Sequence, residues 1–356
     1  MKKKVGIIGT NGLPAKYGGF ETLTNYLVRD LSNDFELTVY CSKLNKNKQL
    51  KEFNGAKLVH LPLSANGMQG VLYDILCILH SFFTMDTLLV LGSSGTVVLP
   101  LNILFRKRIV FNFGGLDWQR EKWNFVAKKF LKLSEAFGVK YSDTTVVDNA
   151  VFAEYVRNTY KLESKLIEYG GDHVIPAKDI KVLLKHGIDY SNYFLSVSRA
   201  QEDNYIHILL DAFVKTPEVN LVVISNWQTC TYGINLKSNY SNYPNIKLVD
   251  AVYDQNELDV IRSNAEWYIH THSACGSAPS LIEGMSLGLP IISFDVPANR
   301  STTEGRAIYF KHTEELKKVL NSIASYNKNE LAIIMKEIAS RRYTWKIISG
   351  KYKELF

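Results

Sequence analysis

The sequence predicts an α/β protein made of two doubly wound parallel sheets. Three observations point that way. The chain has 356 residues, enough for two domains of ordinary size with substantial cores. Short apolar runs alternate with helical patterns along its length, the order that builds parallel sheets from βα units. That alternation breaks once, around Gly170-Gly171-Asp172-His173, and resumes at Tyr193.

In the first half, residues 4–9 read as a buried strand. A turn with Gly9, Gly12, Gly18 and Gly19 follows, then an amphipathic helix with Phe20, Leu23, Leu27 and Leu31 on one face. Residues 36–41, 87–91, 109–113 and 144–147 supply further strands. The most apolar window, 71–91, is interrupted by Asp74, His80 and Asp86, so it reads as a buried helix plus a strand rather than a membrane span. A linker is expected near 171–190. The second half begins with a strand over 193–199 and a helix over 205–214. It continues with strands at 220–225 and 246–250, a helix at 254–263 and a strand at 267–271. A helix at 280–287, a strand at 289–294 and helices over 312–342 complete it. Open α/β sheets bind ligands at the carboxyl ends of their strands. The 9–19 and 271–283 loops are therefore expected to face each other across a cleft.

Composition and charge narrow the function. Apolar content of 46% and charged content of 22% are those of a globular chain, not a disordered or fibrous one. The net charge of +7 is concentrated: residues 106–140 carry nine basic side chains against three acidic ones. Such a patch suits an acidic partner: nucleic acid, anionic lipid or a phosphorylated ligand. Within it, a helix from Trp123 to Tyr141 has a stripe through Trp123, Val126, Ala127, Phe130, Ser134 and Phe137, with Phe125 and Leu131 apolar beside it. Lys128, Lys129 and Lys132 lie alongside, which predicts a helix on an anionic membrane surface. The four cysteines have no metal-ligand spacing, as expected for a reducing cytosol and no structural zinc. Lys2-Lys3-Lys4 before Val5–Gly9 is too short an apolar run for a signal peptide.

The densest cluster of chemistry is the stretch from His270 to Met285. Two histidines, His270 and His272, follow an apolar strand. A loop of small residues then leads into a helix at Ser280, and small side chains let a ligand approach the backbone. A helix start offers open N–H groups and a positive dipole end, suited to phosphate or a sugar hydroxyl. Ser280-x-x-Glu283 also has capping-box spacing, so Glu283 has a structural role open to it beside a ligand-binding one. The first Gly-rich turn does not match GxGxxG, which weighs against a nicotinamide site.

Three separated motifs resemble a glycosyltransferase family 4 subgroup that includes capsular and exopolysaccharide rhamnosyltransferases. They are Gly9 with Gly12 through Glu21, Gly115 through Trp123, and His270 through Glu283 extended to Asn299-Arg300. The resemblance also takes in Tyr343-Thr344-Trp345, so it covers the chain from end to end. It implies the GT-B fold: an acceptor domain over 1–172, a nucleotide-sugar donor domain over 173–343, and a final helix, 344–356, packing back on the first. It implies that Arg199 holds the donor diphosphate, where a planar guanidinium suits paired phosphate oxygens. Glu283 would accept the ribose hydroxyls. Gly18 and Gly19 would bring backbone N–H groups to the phosphate or the transferred sugar. Gly276, Ser277, Pro279, Ser280 and Leu281 would wrap the sugar and diphosphate, with Asn204 on the donor side.

Three departures from the family pattern stand out. The place eight residues before Glu283, commonly a Glu, is Cys275, which leaves sugar contacts to His272 or the loop backbone. The lysine that commonly follows the phosphate-binding arginine is absent from Gln201-Glu202-Asp203-Asn204. The N-domain histidine is absent from Asn112-Phe113-Gly114-Gly115, which leaves Asp117 as its substitute. No aspartate pair suited to Mg²⁺ is present, so no metal and no cofactor are expected. The resemblance implies a retaining, metal-independent transfer from a nucleotide-sugar, dTDP-rhamnose foremost, to a saccharide on a polyprenyl diphosphate lipid. The enzyme would be cytoplasmic, peripheral on the inner face of the membrane, with no nucleic-acid partner. A GT-B nucleotide-sugar epimerase and a non-catalytic binding module are the alternatives.

Overall fold

The computed structural model describes residues 2–15, 18–42, 50–119, 123–274 and 276–356. Lys16, Tyr17, Arg120, Glu121, Lys122 and Cys275, all part of the sequence motifs or the basic patch, lie outside the described residues. The chain forms two compact units, Met1–Glu168 with Trp345–Phe356, and Tyr169–Thr344.

The first unit is built on an eight-stranded sheet. Its strands are β1 (Lys4–Ile8), β2 (Glu36–Ser42), β3 (Glu52–Phe53), β4 (Ala56–Leu61), β5 (Thr87–Leu91), β6 (Arg108–Asn112), β7 (Thr144–Val147) and β8 (Lys165–Leu166). Their order is β3-β4-β2-β1-β5-β6-β7-β8. Val5, Ile7 and Ile8 are fully buried because helices cover both faces of a parallel sheet. Among the described residues only β3 runs antiparallel, joined to β4 by an Asn54-Gly55 turn with φ of 46° and 80°. Those angles are the primed-turn values that an Asn-Gly pair adopts readily.

The helix Phe125–Tyr141 seats differently from its hydropathy pattern. It buries Leu131, Ser134, Glu135, Gly138 and Val139 and leaves Phe125 at 70% and Val126 at 74% exposure. Polar and small residues make the contact. Ser134 Oγ donates to Ser93 O at 2.5 Å and accepts from Val97 N at 3.1 Å. Gly138 lets the helix approach Phe111, whose ring lies 2.7 Å from where a Cβ would stand. The stripe read from the sequence takes in Ser134 but passes over Leu131 and Gly138.

The last helix, Trp345–Lys353, packs on the helix Gly19–Leu31. Trp345 stacks on Tyr26 at 4.2 Å, and Ser349 Oγ donates to Asp30 at 2.7 Å. The Tyr352 hydroxyl accepts from Asn112 Nδ2 at 2.6 Å.

The second unit holds six parallel strands: β9 (Phe194–Val197), β10 (Leu221–Ser225), β11 (Ile246–Asp250), β12 (Trp267–His270), β13 (Ile291–Phe294) and β14 (Ile308–Phe310). Their order is β11-β10-β9-β12-β13-β14. The units divide at Glu168/Tyr169 and Thr344/Trp345, where the sequence placed 172/173 and 343/344. Gly171 shows why. Its N–H donates to Tyr343 O at 2.7 Å, and a Cβ on it would lie 2.5 Å from Ile282, so this segment is packed into the second unit. Among the described residues no helix is long and apolar enough to cross a membrane.

Candidate functional site

In the second unit the chain leaves β9, adds β10 and β11 on one side, then returns to place β12 on the other. The connections after β9 and β12 therefore diverge, and a crevice opens at their carboxyl ends. Residues 199–204 follow β9, and 271–278 follow β12. Side chains tie these loops together. Asn204 Nδ2 donates to Arg199 O at 2.8 Å, and the Thr271 hydroxyl donates to Asn204 O. Ser273 gives its N–H and hydroxyl to Asp203 O at 3.0 and 2.8 Å. Asn299 Nδ2 bridges His272 O at 3.0 Å and Phe294 O at 2.9 Å, adding the loop after β13.

His270 and His272 stand ring to ring at 4.4 Å. Burial, and then the charge of His272, push His270 well below the usual imidazole range. Burial followed by the nearby Arg199 guanidinium pushes His272 down to about 4. Both rings are therefore neutral at neutral pH. Each keeps a buried Nε2 without a hydrogen-bond partner among the described residues. The Arg199 side chain is exposed and lies within electrostatic reach of His272. Arg199 and His272 thus lie on the two loops that follow β9 and β12, ahead of the helix Pro279–Ser286.

Glu283 lies in the helix Pro279–Ser286, packed beneath that loop. One oxygen pairs with Arg262, and the other accepts from His173 Nε2 at 3.1 Å. Burial alone would raise its pKa, but Arg262 and His173 outweigh burial and hold it below the usual carboxylate range.

The corresponding crevice in the first unit lies between β1 and β5. Gly18, with φ of 122°, precedes the helix Gly19–Leu31. Glu21 from that helix accepts from Asn11 N at 2.9 Å, and its other oxygen lies 2.0 Å from where a Gly18 Cβ would stand. Next to β5, Asp74 accepts from the Ser94 hydroxyl, and burial pushes its carboxyl up to about 7.

Two kinds of similarity bear on this architecture. Residues 2–172 match a family model described as a domain of unknown function, DUF1972, and residues 184–340 match one described as glycosyl transferases group 1. Sucrose-phosphate synthase from Thermosynechococcus elongatus superimposes with a TM-score of 0.83 at 16% identity, over 99% of this chain and 98% of that one. HepE from Anabaena, solved with UDP, superimposes with a TM-score of 0.77 at 13% identity, over 99% and 98%. A UDP-N-acetylglucosamine 2-epimerase from Listeria monocytogenes gives 0.65 at 14% identity, over 99% and 95%. No curated protein sequence matches. The fold is GT-B. The group 1 match and the GT-B neighbours together support a glycosyltransferase.

Within this GT-B fold, several residues stand differently from their sequence assignment. The helix begins at Pro279 with Ala278 as its N-cap, and no side chain caps it. The Ser280–Glu283 capping box is therefore not formed: Pro279 takes the first helical position, which moves Ser280 inside the helix. Leu281 is fully buried, and its N–H donates to Ala278 O at 3.0 Å. Asn204 Nδ2 braces the loop through Arg199 O. Glu21 stands at the Gly18–Gly19 helix start, where a phosphate would meet a like charge and a sugar hydroxyl would not. Gly276, Ser277, Pro279 and Ser280 lie in the loop and helix start of the second crevice. Asp117 opens a short turn after β6 in the first unit, its N–H donating to Gly115 O at 3.1 Å.

Sequence reasoning missed Arg262 and His173 as partners of Glu283, and Asp74 beside Ser94. Asp74 had a signal, a carboxylate inside an otherwise apolar helix. Arg262 had none, because it follows Asp259 on a helix that reads as an ordinary charged surface.

Proposed function

We propose that this chain transfers a sugar from a nucleoside diphosphate donor, held in the second unit, to a saccharide on a polyprenyl diphosphate lipid. The observation that carries the reading is the crevice between β9 and β12, whose loops carry Arg199 and His272 within electrostatic reach of each other, ahead of the helix Pro279–Ser286. The donor diphosphate meets the Arg199 charge. A neutral His272 contacts the sugar without competing for the phosphate. The glycosidic C1–O bond to phosphate breaks, and the acceptor oxygen bonds C1 on the same face. Its proton passes to the leaving phosphate oxygen, so configuration is retained without a protein nucleophile. Arg199 and backbone dipoles neutralise the leaving group in place of a metal. The resemblance favours dTDP-rhamnose, and the UDP-bound HepE supports a nucleoside diphosphate sugar more broadly. The epimerase neighbour shares the fold, but the group 1 match over 184–340 favours transfer.

The test is release of free nucleoside diphosphate from a panel of sugar donors, in EDTA, with and without a lipid-linked saccharide. Acceptor-dependent release is expected to persist in EDTA. Arg199→Ala should weaken nucleotide binding by about 1.5–3 kcal/mol, the contribution of a hydrogen bond to a charged group. An unchanged Kd in the folded variant removes Arg199 from the site, and interconversion of the donor sugar without release selects the epimerase.

Peripheral attachment to the inner face of the cell membrane belongs to the same reading. Ile103 and Leu104 are exposed, and the segment Thr96–Leu104 packs against the helix that exposes Phe125 and Val126. Lys128 and Lys129 lie beside them. Lys132 is withdrawn: its ammonium pairs with Glu135 at 2.9 Å and lies over the Trp118 and Tyr155 rings at 4.5 and 4.7 Å. Replacing Lys128 and Lys129 with Gln should cost about 1 kcal/mol each in binding to anionic vesicles. Replacing Lys132 should cost little there. Sedimentation with anionic and neutral vesicles, repeated at high salt, measures both.

A further inference from the structure

The helix Met68–Thr84 has two apolar faces, and only one of them is covered. The sequence reads this helix as buried. Tyr73, Cys77, Ile78 and Phe82 do pack into the core of the first unit. On the opposite face Met68 is 86% exposed, Leu72 56%, Leu76 46% and Phe83 76%. Their spacing places them in one stripe along the helix. Gln69, His80 and Thr84 are the exposed polar residues beside them. The helix has no Lys, Arg or Glu, and its Asp74 is buried, accepting from Ser94. A surface helix of a globular protein ordinarily turns charged residues to water, and a large exposed apolar patch marks a surface that something else covers.

The apolar surface continues beyond this helix. Phe83 meets the Phe105 ring edge-on at 4.9 Å. Thr96–Leu104 packs on the helix and exposes Leu101, Ile103 and Leu104. It packs in turn against Phe125–Tyr141, with its exposed Phe125 and Val126. These three elements show water no acidic side chain: Thr96–Leu104 has none, and Glu135 is 1% exposed. Cations rim the surface at both ends. Lys2, Lys4 and Lys107 line a recess of about 330 Å³ with Phe83, where Asp86 is the acid and accepts from Lys4 N at 2.9 Å. Lys128 and Lys129 follow Phe125 and Val126. An apolar stripe between cationic ends complements the acyl boundary and anionic headgroups of a bilayer. Seventeen residues span about 25 Å, short of the roughly 30 Å hydrocarbon core, so the helix lies along a leaflet.

We propose that Met68–Thr84 rests on an anionic lipid leaflet and buries Leu72, Leu76 and Phe83 in its acyl boundary, with Leu101, Ile103 and Leu104 beside them. This rests on the peripheral attachment proposed above and names the element that makes it. Attachment is then hydrophobic as well as electrostatic. The helix starts beside the loop after β1, where Asn66 Nδ2 donates to Asn11 Oδ1 at 3.3 Å. The edge of the first crevice therefore lies at the leaflet, where a saccharide on a membrane lipid reaches it without leaving the bilayer.

The test is sedimentation of the full chain with vesicles of phosphatidylcholine and phosphatidylglycerol, at low salt and at about 1 M salt, where screening shortens to about 3 Å. Wild type should keep measurable binding at high salt. The triple variant Leu72→Gln, Leu76→Gln, Phe83→Gln should bind about 10- to 100-fold more weakly at low salt and lose the salt-resistant part. Ile180→Gln with Leu184→Gln, at positions 63% and 56% exposed in the second unit, is the control and should bind as wild type does. Melting curves establish folding, and Phe83→Gln alone serves where the triple variant does not fold. Wild-type binding by a folded triple variant overturns this inference; if Lys128→Gln with Lys129→Gln still weakens binding, the electrostatic attachment stands. An equal loss in the control overturns it too, because any exposed apolar side chain would then serve. Self-association without lipid that the triple variant abolishes, with vesicle binding intact, overturns it and assigns the face to a second copy of the chain. No vesicle binding by wild type overturns both the inference and the peripheral attachment, and leaves the nucleotide-sugar reading standing.

Discussion

Glu283→Gln should lower the melting temperature by about 10 °C and also abolish most donor binding. The first effect follows from Arg262. Its guanidinium is 2% exposed and its close ionic partner is Glu283, with Asp259 farther off at 3.9 Å. Removing one member of a buried pair costs on the order of 3–5 kcal/mol, because the other charge is left unsolvated and unpaired. In a domain of this size each kcal/mol moves the transition by roughly 2–4 °C. A capping role predicts otherwise, since Gln would keep that bond and the melting temperature would hardly move. The double variant Arg262→Met, Glu283→Gln separates stability from function. It should recover most of the lost stability, because the uncompensated charge is gone, yet bind no more donor than the single variant. Calorimetric melting and titration on the three proteins check both halves. Recovery of donor binding in the double variant would show that Glu283 holds the fold and does not touch the nucleotide.

Mild acid should destabilise the second unit, and the two histidines set the window. The unfolded chain titrates its imidazoles near pH 6.5. In the fold His270 lies well below that and His272 at about 4. A lowered folded pKa means that below about pH 6.5 the unfolded chain binds protons the native state refuses, so stability falls as pH falls. For His272 alone the loss reaches about 2 kcal/mol by pH 5, and His270 adds to it in the same direction. Glu283 acts in a separate window. Its folded pKa is lowered, so its contribution is complete above the carboxylate range and fades only as pH falls through it. Melting temperatures across pH 7.5 to 5 should fall, and His272→Asn should flatten that slope. An equal slope in wild type and variant would mean that His272 is protonated in the fold.

The parallel-sheet architecture was legible because its signals are local. Buried strands such as β1, β5 and β10 are continuous apolar runs, and helices with one apolar face separate them. The elements that escaped are those whose burial is partial or whose signal is a turn. The β3–β4 hairpin carries charged and half-buried residues and was announced only by Asn54-Gly55. The helix Phe125–Tyr141 was recognised but rotated, because Leu131, Glu135 and Gly138, all off the stripe, lie on its buried face.

The sequence by itself determined two βα series, the crevice loops at the carboxyl ends of their strands, and the candidate groups Arg199, His272 and Glu283. Those follow from strand order and residue type, which hydrophobic periodicity and motif spacing record. Only the tertiary structure decided what each group is bonded to. Glu283 lies three residues from Ser280, but its carboxylate meets Arg262, 21 positions away, and His173, 110 positions away. Local spacing favoured the nearer partner. A buried carboxylate instead takes the donors that compensate its lost hydration, and packing between distant elements supplies them.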